Sequence, residues 1–419
     1  MRIVHLTQST TAEITGGLEY HIANLTAALR QRGHEVIVLN TESFPNKSKN
    51  LAAKPQDEAP LAARRGAHLL PKTFWQDLDA HWETMAMFTR RMMKKRAVKV
   101  IADHIDHLNP DVVHQHSYIG GLGLCRLISR KYPVVFTNHT GAYLHFDRIV
   151  CTRWLQRQLM KRFAAVIGPS RELSPRTVNS HYIPNGVDPS KFFPVSGVEL
   201  HRLEKKYRCV GKQVFLCPRR WAPTKGVIYL AKALRHLSRS TLNNSVFIFS
   251  GNETPGYKKY QRNIRDVLNT VEGEVRVLGN LGQVELAELM NISRVCIIPS
   301  LMEATSLACL EAMASGTPVV GTETPGLVEL IRDGVNGWLT PLRNDRALAA
   351  RIELIAGMSQ EDLRRMGQDA MNTVREHYTW KIAAFKTEEI YRVAMQGANR
   401  SAGRQSENAA LRMAPLREL

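Results

Sequence analysis

Glu303 and Glu311 stand eight residues apart in a stretch that follows the apolar run Val295–Pro299 and closes on Gly316-Thr317-Pro318. Apolar run, loop, helical period, glycine stop and second apolar run read as strand, loop, helix and strand. Eight residues span a little over two helical turns, about 12 Å of axis, with both side chains on nearly one face. Carboxylates so placed accept hydrogen bonds from hydroxyls at two ends of one polyol ligand. Thr305, Ser306 and Leu307 lie between them and offer backbone N–H groups at a helix start, where an anion is favoured. Upstream, Arg219-Arg220-Trp221-Ala222-Pro223-Thr224-Lys225-Gly226 follows the apolar run Gln213–Cys217. Arg220 and Lys225 thus fall at the carboxyl end of a strand, where α/β sheets bind ligands. Arg grips a phosphate with two donors and Lys adds a point charge. Near the N-terminus, Ile3–Leu6 leads through a polar loop to Gly16-Gly17, a helix start whose bare backbone lets an anion come close.

These residues need elements to hold them. The first half of the chain alternates strand-like runs at Arg2–Leu6, Glu35–Asn40, Asp111–Gln115, Val134–Thr137, Ala165–Gly168 and Tyr182–Pro184 with helical periods at Gly17–Arg32, Tyr118–Tyr132 and Thr152–Phe163. Such alternation implies βαβ units and a parallel, doubly wound sheet. It restarts after the turn-rich segment Pro184–Pro194, with strands at Gln213–Cys217, Ser245–Ser250, Glu274–Leu278, Arg294–Pro299 and Pro318–Gly321. The expectation is two α/β domains, residues 1–195 and 196–379, with the boundary near 195–211. Trp380–Met395 reads as a last helix, and residues 397–419 as a disordered basic tail. Residues 41–72 read as a long surface excursion.

Composition narrows the class. The 419 residues are 44% hydrophobic and 23% charged, values of a soluble globular protein long enough for two cores. No run approaches the roughly 18 apolar residues of a membrane span, and the start lacks a secretory pattern, so the expected place is the cytoplasm. The net charge of +19 favours acidic partners. The run from Arg90 to Lys99, in a helix expected from about Asp77, suits the anionic inner face of the cytoplasmic membrane or an anionic acceptor. Basic and aromatic residues are not interleaved as in RNA-binding proteins, so nucleic acid is not expected as a partner. The six cysteines are scattered and read as buried free thiols. Asp77-Leu78-Asp79 sits at a helix start and not after a strand, so no metal site is assigned to it. Gly120–Gly123 reads as a helix packed closely on the sheet, without the acidic ribose partner of a dinucleotide site. His114 and His116 read as core or supporting residues.

Glu303 and Glu311 match the E-x7-E motif of glycosyltransferase family 4, the large retaining GT-B family. The resemblance extends through Gly16-Gly17, Gly33-His34-Glu35-Val36, Pro110–Ser117, Thr137-Asn138-His139-Thr140, Ile183–Asp188, Arg220 with Lys225-Gly226, Asp333–Gly337 and Tyr378-Thr379-Trp380. It implies two Rossmann-like domains facing a cleft, with residues 380–396 as a helix crossing back to the N-domain. It further implies that Arg220 and Lys225 neutralise the donor pyrophosphate, that Glu311 binds the ribose hydroxyls, and that Glu303 lies by the donor sugar. Gly16 and Gly17 resemble the loop lying against phosphates and acceptor; His139 matches the histidine beside the reacting sugar, with Thr140 next to it. One departure is Thr305-Ser306-Leu307 where relatives often have Phe-Gly-Leu, which leaves the phosphate N–H groups in place. The function so implied is metal-independent, cofactor-free transfer from a nucleotide-sugar donor. The acceptor is either a bacterial cell-surface polysaccharide or glycolipid, or a small soluble aminocyclitol or sugar phosphate. A non-catalytic nucleotide-sugar or nucleic-acid binder is the reading of another class.

Overall fold

The computed structural model describes residues 1–7, 16–41, 95–116, 121–139, 154, 157–174, 176–251 and 256–413. The chain divides into two compact units. One comprises Met1–Pro169, Leu173–Ile183 and Ala384–Leu419; the other comprises Ser170–Glu172 and Pro184–Ala383.

The first unit is built on β1 (Arg2–Thr7), β2 (Glu35–Asn40), β3 (Val112–Gln115), β4 (Val134–Thr137), β5 (Ala165–Gly168) and β6 (Ser180–Tyr182). All pair in parallel, in the order β2-β1-β3-β4-β5-β6. β3, β4 and β5 are buried throughout, as parallel strands covered on both faces must be. Leu6, Val113 and Phe136 pack there with Ile101 and Ile105 of the helix Lys95–Leu108 and Leu124 of the helix Gly121–Ile128. The expected strand Tyr182–Pro184 falls two residues earlier, because Pro184 has no N–H to give a ladder.

The second unit carries β7 (Gln213–Pro218), β8 (Ser245–Ser250), β9 (Glu274–Gly279), β10 (Val295–Ile298), β11 (Val319–Thr322) and β12 (Gly337–Thr340). The order is β12-β11-β10-β7-β8-β9, again all parallel. β12 was not foreseen: four residues opening on glycine carry little strand signal by themselves. Both orders are those of a doubly wound fold, and each reverses once, between β1 and β3 and between β7 and β10. At such a reversal the flanking connections leave in opposite directions and open a crevice at the carboxyl ends.

Pro184–Pro194, expected to close the first half, belongs to the second unit. Val187 bridges Thr379, and Val187 and Phe192 are buried in that unit's core. A Cβ on Gly186 would lie 2.3 Å from the Trp380 backbone nitrogen, so only glycine allows the approach. The last helix runs Trp380–Met413, past the expected end near Met395 and through most of the stretch expected to be disordered. Ala, Arg, Gln, Glu and Leu in that stretch are favourable helix formers. The five described cysteines are buried and free, and Cys151 lies outside the described residues.

Candidate active site

β7 and β10 are neighbours at the reversal of the second sheet, so the segments leaving their carboxyl ends meet. The first carries Arg219, Arg220 and Lys225, the second Ser300 and Glu303. Glu303 Oε1 collects three donors: Arg219 Nη2, Lys225 Nζ at 2.9 Å and Ser300 Oγ at 2.9 Å. Arg219 and Glu303 are each only 8% exposed. Backbone bonds hold the two segments in register, since Thr224 O accepts from Leu301 N at 2.8 Å and Met302 N at 3.2 Å. Gly226 makes this possible. Its φ is +63°, and a Cβ there would stand 1.8 Å from Pro299 O. The three-residue turn Pro223–Lys225 can therefore lie against the end of β10 and deliver Lys225 to Glu303.

Charge crowding shapes this cluster. Burial pushes Arg219 down to about 10, which leaves it protonated at neutral pH. Burial, then the Arg219 and Arg220 cations, holds Lys225 well below the usual lysine range. An added anion would relieve that repulsion. Arg220 is exposed, and its side chain has no ion pair among the described residues. Arg219 was not singled out in the sequence; the available signal was two consecutive arginines at a strand end, where side chains alternate direction.

Glu303 departs from expectation in its placement. The helix begins only at Leu307, after an extended Ser306, so Glu303 lies in the preceding loop while Glu311 is inside the helix Leu307–Ala314. Helical spacing therefore does not relate the two carboxylates. Ser300, Arg219 and Lys225 position Glu303 instead. Glu311 is buried and lies within electrostatic reach of Arg219. Thr305 Oγ1 accepts a hydrogen bond from Asn185 N at 3.3 Å. Ser306 Oγ is buried without a hydrogen bond among the described residues. The helical ladder opens with Leu310 N to Ser306 O, so the N–H groups before Leu310 point out of the helix start. Close packing supports this loop from behind, since a Cβ on Gly326 would lie 1.5 Å from Ala304 O.

In the first unit, Gly16 is the N-cap of the helix Gly17–Gln31, as the glycine pair implied. His139 lies two residues beyond β4, half-buried, with Nε2 3.3 Å from His116 Nδ1. His114 and His116 are buried, as expected of core or supporting residues. Burial and the neighbouring imidazoles hold His114, His116 and His139 well below the usual histidine range. Tyr391 of the last helix places its hydroxyl 2.6 Å from His114 Nδ1 and 3.3 Å from His5 Nε2. Thr140, Asp77, Asp79, residues 42–94 and thus Arg90 to Lys94 lie outside the described residues. Among the described residues, no helix is long and apolar enough to cross a membrane.

Comparison with known proteins agrees with this geometry. Residues 202–373 match the family described as Glycosyl transferases group 1, and residues 15–191 match Glycosyltransferase Family 4. The chain is 26% identical to the MMP alpha-(1->4)-mannosyltransferase of Mycolicibacterium hassiacum, over 91% of this chain and 95% of that protein. It is 24% identical to the phosphatidyl-myo-inositol mannosyltransferase of Mycolicibacterium smegmatis, over 90% of each. Among solved structures, Anabaena HepE in complex with UDP and glucose superposes with a TM-score of 0.66 at 17% identity, covering 93% of this chain and 98% of that one. The shared fold is GT-B.

Proposed function

Because this chain belongs to glycosyltransferase family 4, we propose that it is a retaining, metal-independent transferase of hexosyl groups from a UDP- or GDP-sugar. The acceptor in this reading is a bacterial cell-surface polysaccharide or glycolipid, met at the inner face of the cytoplasmic membrane. The observation that carries the proposal is the cluster of Arg219, Arg220, Lys225 and Glu303 at the β7–β10 reversal, beside the helix start at Leu307. Two cations on one buried carboxylate, with the exposed Arg220 in electrostatic reach of both, suit a ligand that is anionic at one end and hydroxylated at the other. HepE binds UDP and glucose, and the phosphatidyl-myo-inositol enzyme is named for a lipid acceptor, which supports both halves of the reading.

Transfer breaks the bond from the sugar C1 to the phosphate oxygen and forms one from C1 to an acceptor oxygen. The electron pair of the broken bond stays on the nucleoside diphosphate, and the acceptor proton passes to that leaving phosphate on the same face. Arg220, Lys225 and the N–H groups of Thr305, Ser306 and Leu307 stabilise the growing charge. Glu303 orients the donor sugar through its hydroxyls, and Glu311 the ribose. The family resemblance assigns the donor phosphates to Gly16 and Gly17 and the reacting sugar to His139 and Thr140.

The test is release of nucleoside diphosphate from a panel of UDP-, GDP- and ADP-sugars, with and without a bacterial lipid extract. Release from one donor, lowered roughly 100- to 1,000-fold by Arg220→Ala or Lys225→Ala, is the expected result. Near-normal turnover in both variants would sink the assignment. Transfer to an aminocyclitol or sugar phosphate, with no response to the extract, would move the acceptor to the soluble class.

A further inference from the structure

We propose that His21, His116 and His139 form a binding site for a divalent transition-metal ion such as Zn²⁺, one whose occupancy inhibits the enzyme. The three come from separate elements that converge at the reversal of the first sheet. His21 lies in the helix that follows β1, His116 directly after β3 and His139 after β4. Each offers a ring nitrogen, and the three nitrogens lie within 4.8 Å of one another. His116 Nδ1 and His139 Nε2 are 3.3 Å apart, about the ligand–ligand edge of a tetrahedral zinc site with bonds of about 2.0–2.1 Å. Three imidazoles at such a site leave a fourth position for water or an anion.

A second trio, His5, His114 and His116, is equally close but is otherwise engaged. His5 uses Nδ1 on Thr26 Oγ1 at 3.1 Å and Nε2 on the Tyr391 hydroxyl at 3.3 Å. His114 uses Nδ1 on the same hydroxyl and Nε2 on Thr137 Oγ1, both at 2.6 Å. A metal there would take one nitrogen from each ring and so displace two of these four hydrogen bonds. His116 differs, since its Nε2 is buried with no hydrogen bond among the described residues, and its Nδ1 contacts only the prospective co-ligand His139. Ligation also favours neutral imidazoles, and burial disfavours the charged form of both His116 and His139. Imidazole ligands suit Zn²⁺, Cu²⁺ and Ni²⁺ over Mg²⁺ or Ca²⁺. Ligation would withdraw the His139 imidazole from the role given to it in glycosyl transfer, hence inhibition.

The experiment uses the full chain, stripped with EDTA and desalted, and titrated with Zn²⁺ against a coloured chelator. One zinc per chain is expected. His21→Ala, His116→Ala or His139→Gln should weaken it more than about 100-fold, beyond the loss of a merely supporting contact. His5→Gln should weaken it by no more than about 10-fold. If His116→Ala does not fold, His139→Gln at its half-buried position carries the same test. No zinc bound by the parent chain, binding that survives the ligand variants, or equal loss in His5→Gln would each overturn the proposal. In parallel, excess Zn²⁺ should stop donor turnover and EDTA restore it; zinc that binds at these histidines while turnover continues would overturn the inhibitory part. Absence of turnover under every condition would instead count against the transferase reading, because zinc binding is read directly.

Discussion

Glu303→Leu strands the Arg219 guanidinium in a buried site, and this yields the sharpest test of the cluster. Arg219 and Glu303 are each 8% exposed. Arg219 stays charged at pH 7, because burial brings it down only to about 10. Removing one member of a buried, hydrogen-bonded ion pair costs about 3–5 kcal/mol, mainly for the charge left behind. Arg219→Met should cost less, about 1–3 kcal/mol, because Glu303 Oε1 still accepts from Lys225 and Ser300, both at 2.9 Å. The double variant leaves Lys225, whose side chain retains 19% exposure and can turn to water. Its cost should therefore fall below that of Glu303→Leu alone, giving a coupling energy larger than the cost of Arg219→Met, at least about 1 kcal/mol. Urea unfolding followed by the fluorescence of Trp221 and Trp338, both buried in the second unit, reads all four corners of the cycle. Costs that add to within about 0.5 kcal/mol would refute the pairing and the positioning of Glu303 argued from it.

Gly226→Ala should destabilise the second unit by about 3 kcal/mol or more, since φ is +63° and the new Cβ meets Pro299 O; a melting temperature within a degree of the parent would contradict this. Turnover should persist in excess EDTA; complete loss restored by Mg²⁺ or Mn²⁺ would show a required metal. Acid should reveal Glu388. Burial alone would raise its carboxyl, but bonds from Arg32, His34 and Arg392 outweigh that and hold it down at about 2. A depressed carboxyl stabilises the fold above its unfolded value of about 4.3, and that contribution is lost as pH falls toward 2. Melting curves from pH 6 to 2.5 should therefore drop more steeply for the parent chain than for Glu388→Gln, and parallel curves would remove Glu388 from the account.

Much of this molecule was legible in one dimension. β7 and β10 are continuous apolar runs because parallel strands covered on both faces demand it, and each run is followed by its charged or hydroxylated segment. Residue type and spacing alone therefore pointed to Arg220, Lys225, Glu303 and Glu311, and to two doubly wound units. What local pattern could not supply is which strands are neighbours. That is a long-range choice, and it decides that the segments after β7 and β10, some 80 residues apart in sequence, share one crevice. Three particulars follow from it alone. Arg219, and not Arg220, turns inward to Glu303, Glu303 is held from a loop and not from a helix face, and Pro184–Pro194 packs with the second core. In the first unit the same cause gathers His21, His116 and His139. His139 stood out through its family match, but nothing in the sequence joined it to His21 or His116, because convergence is set by sheet order, which no local window contains.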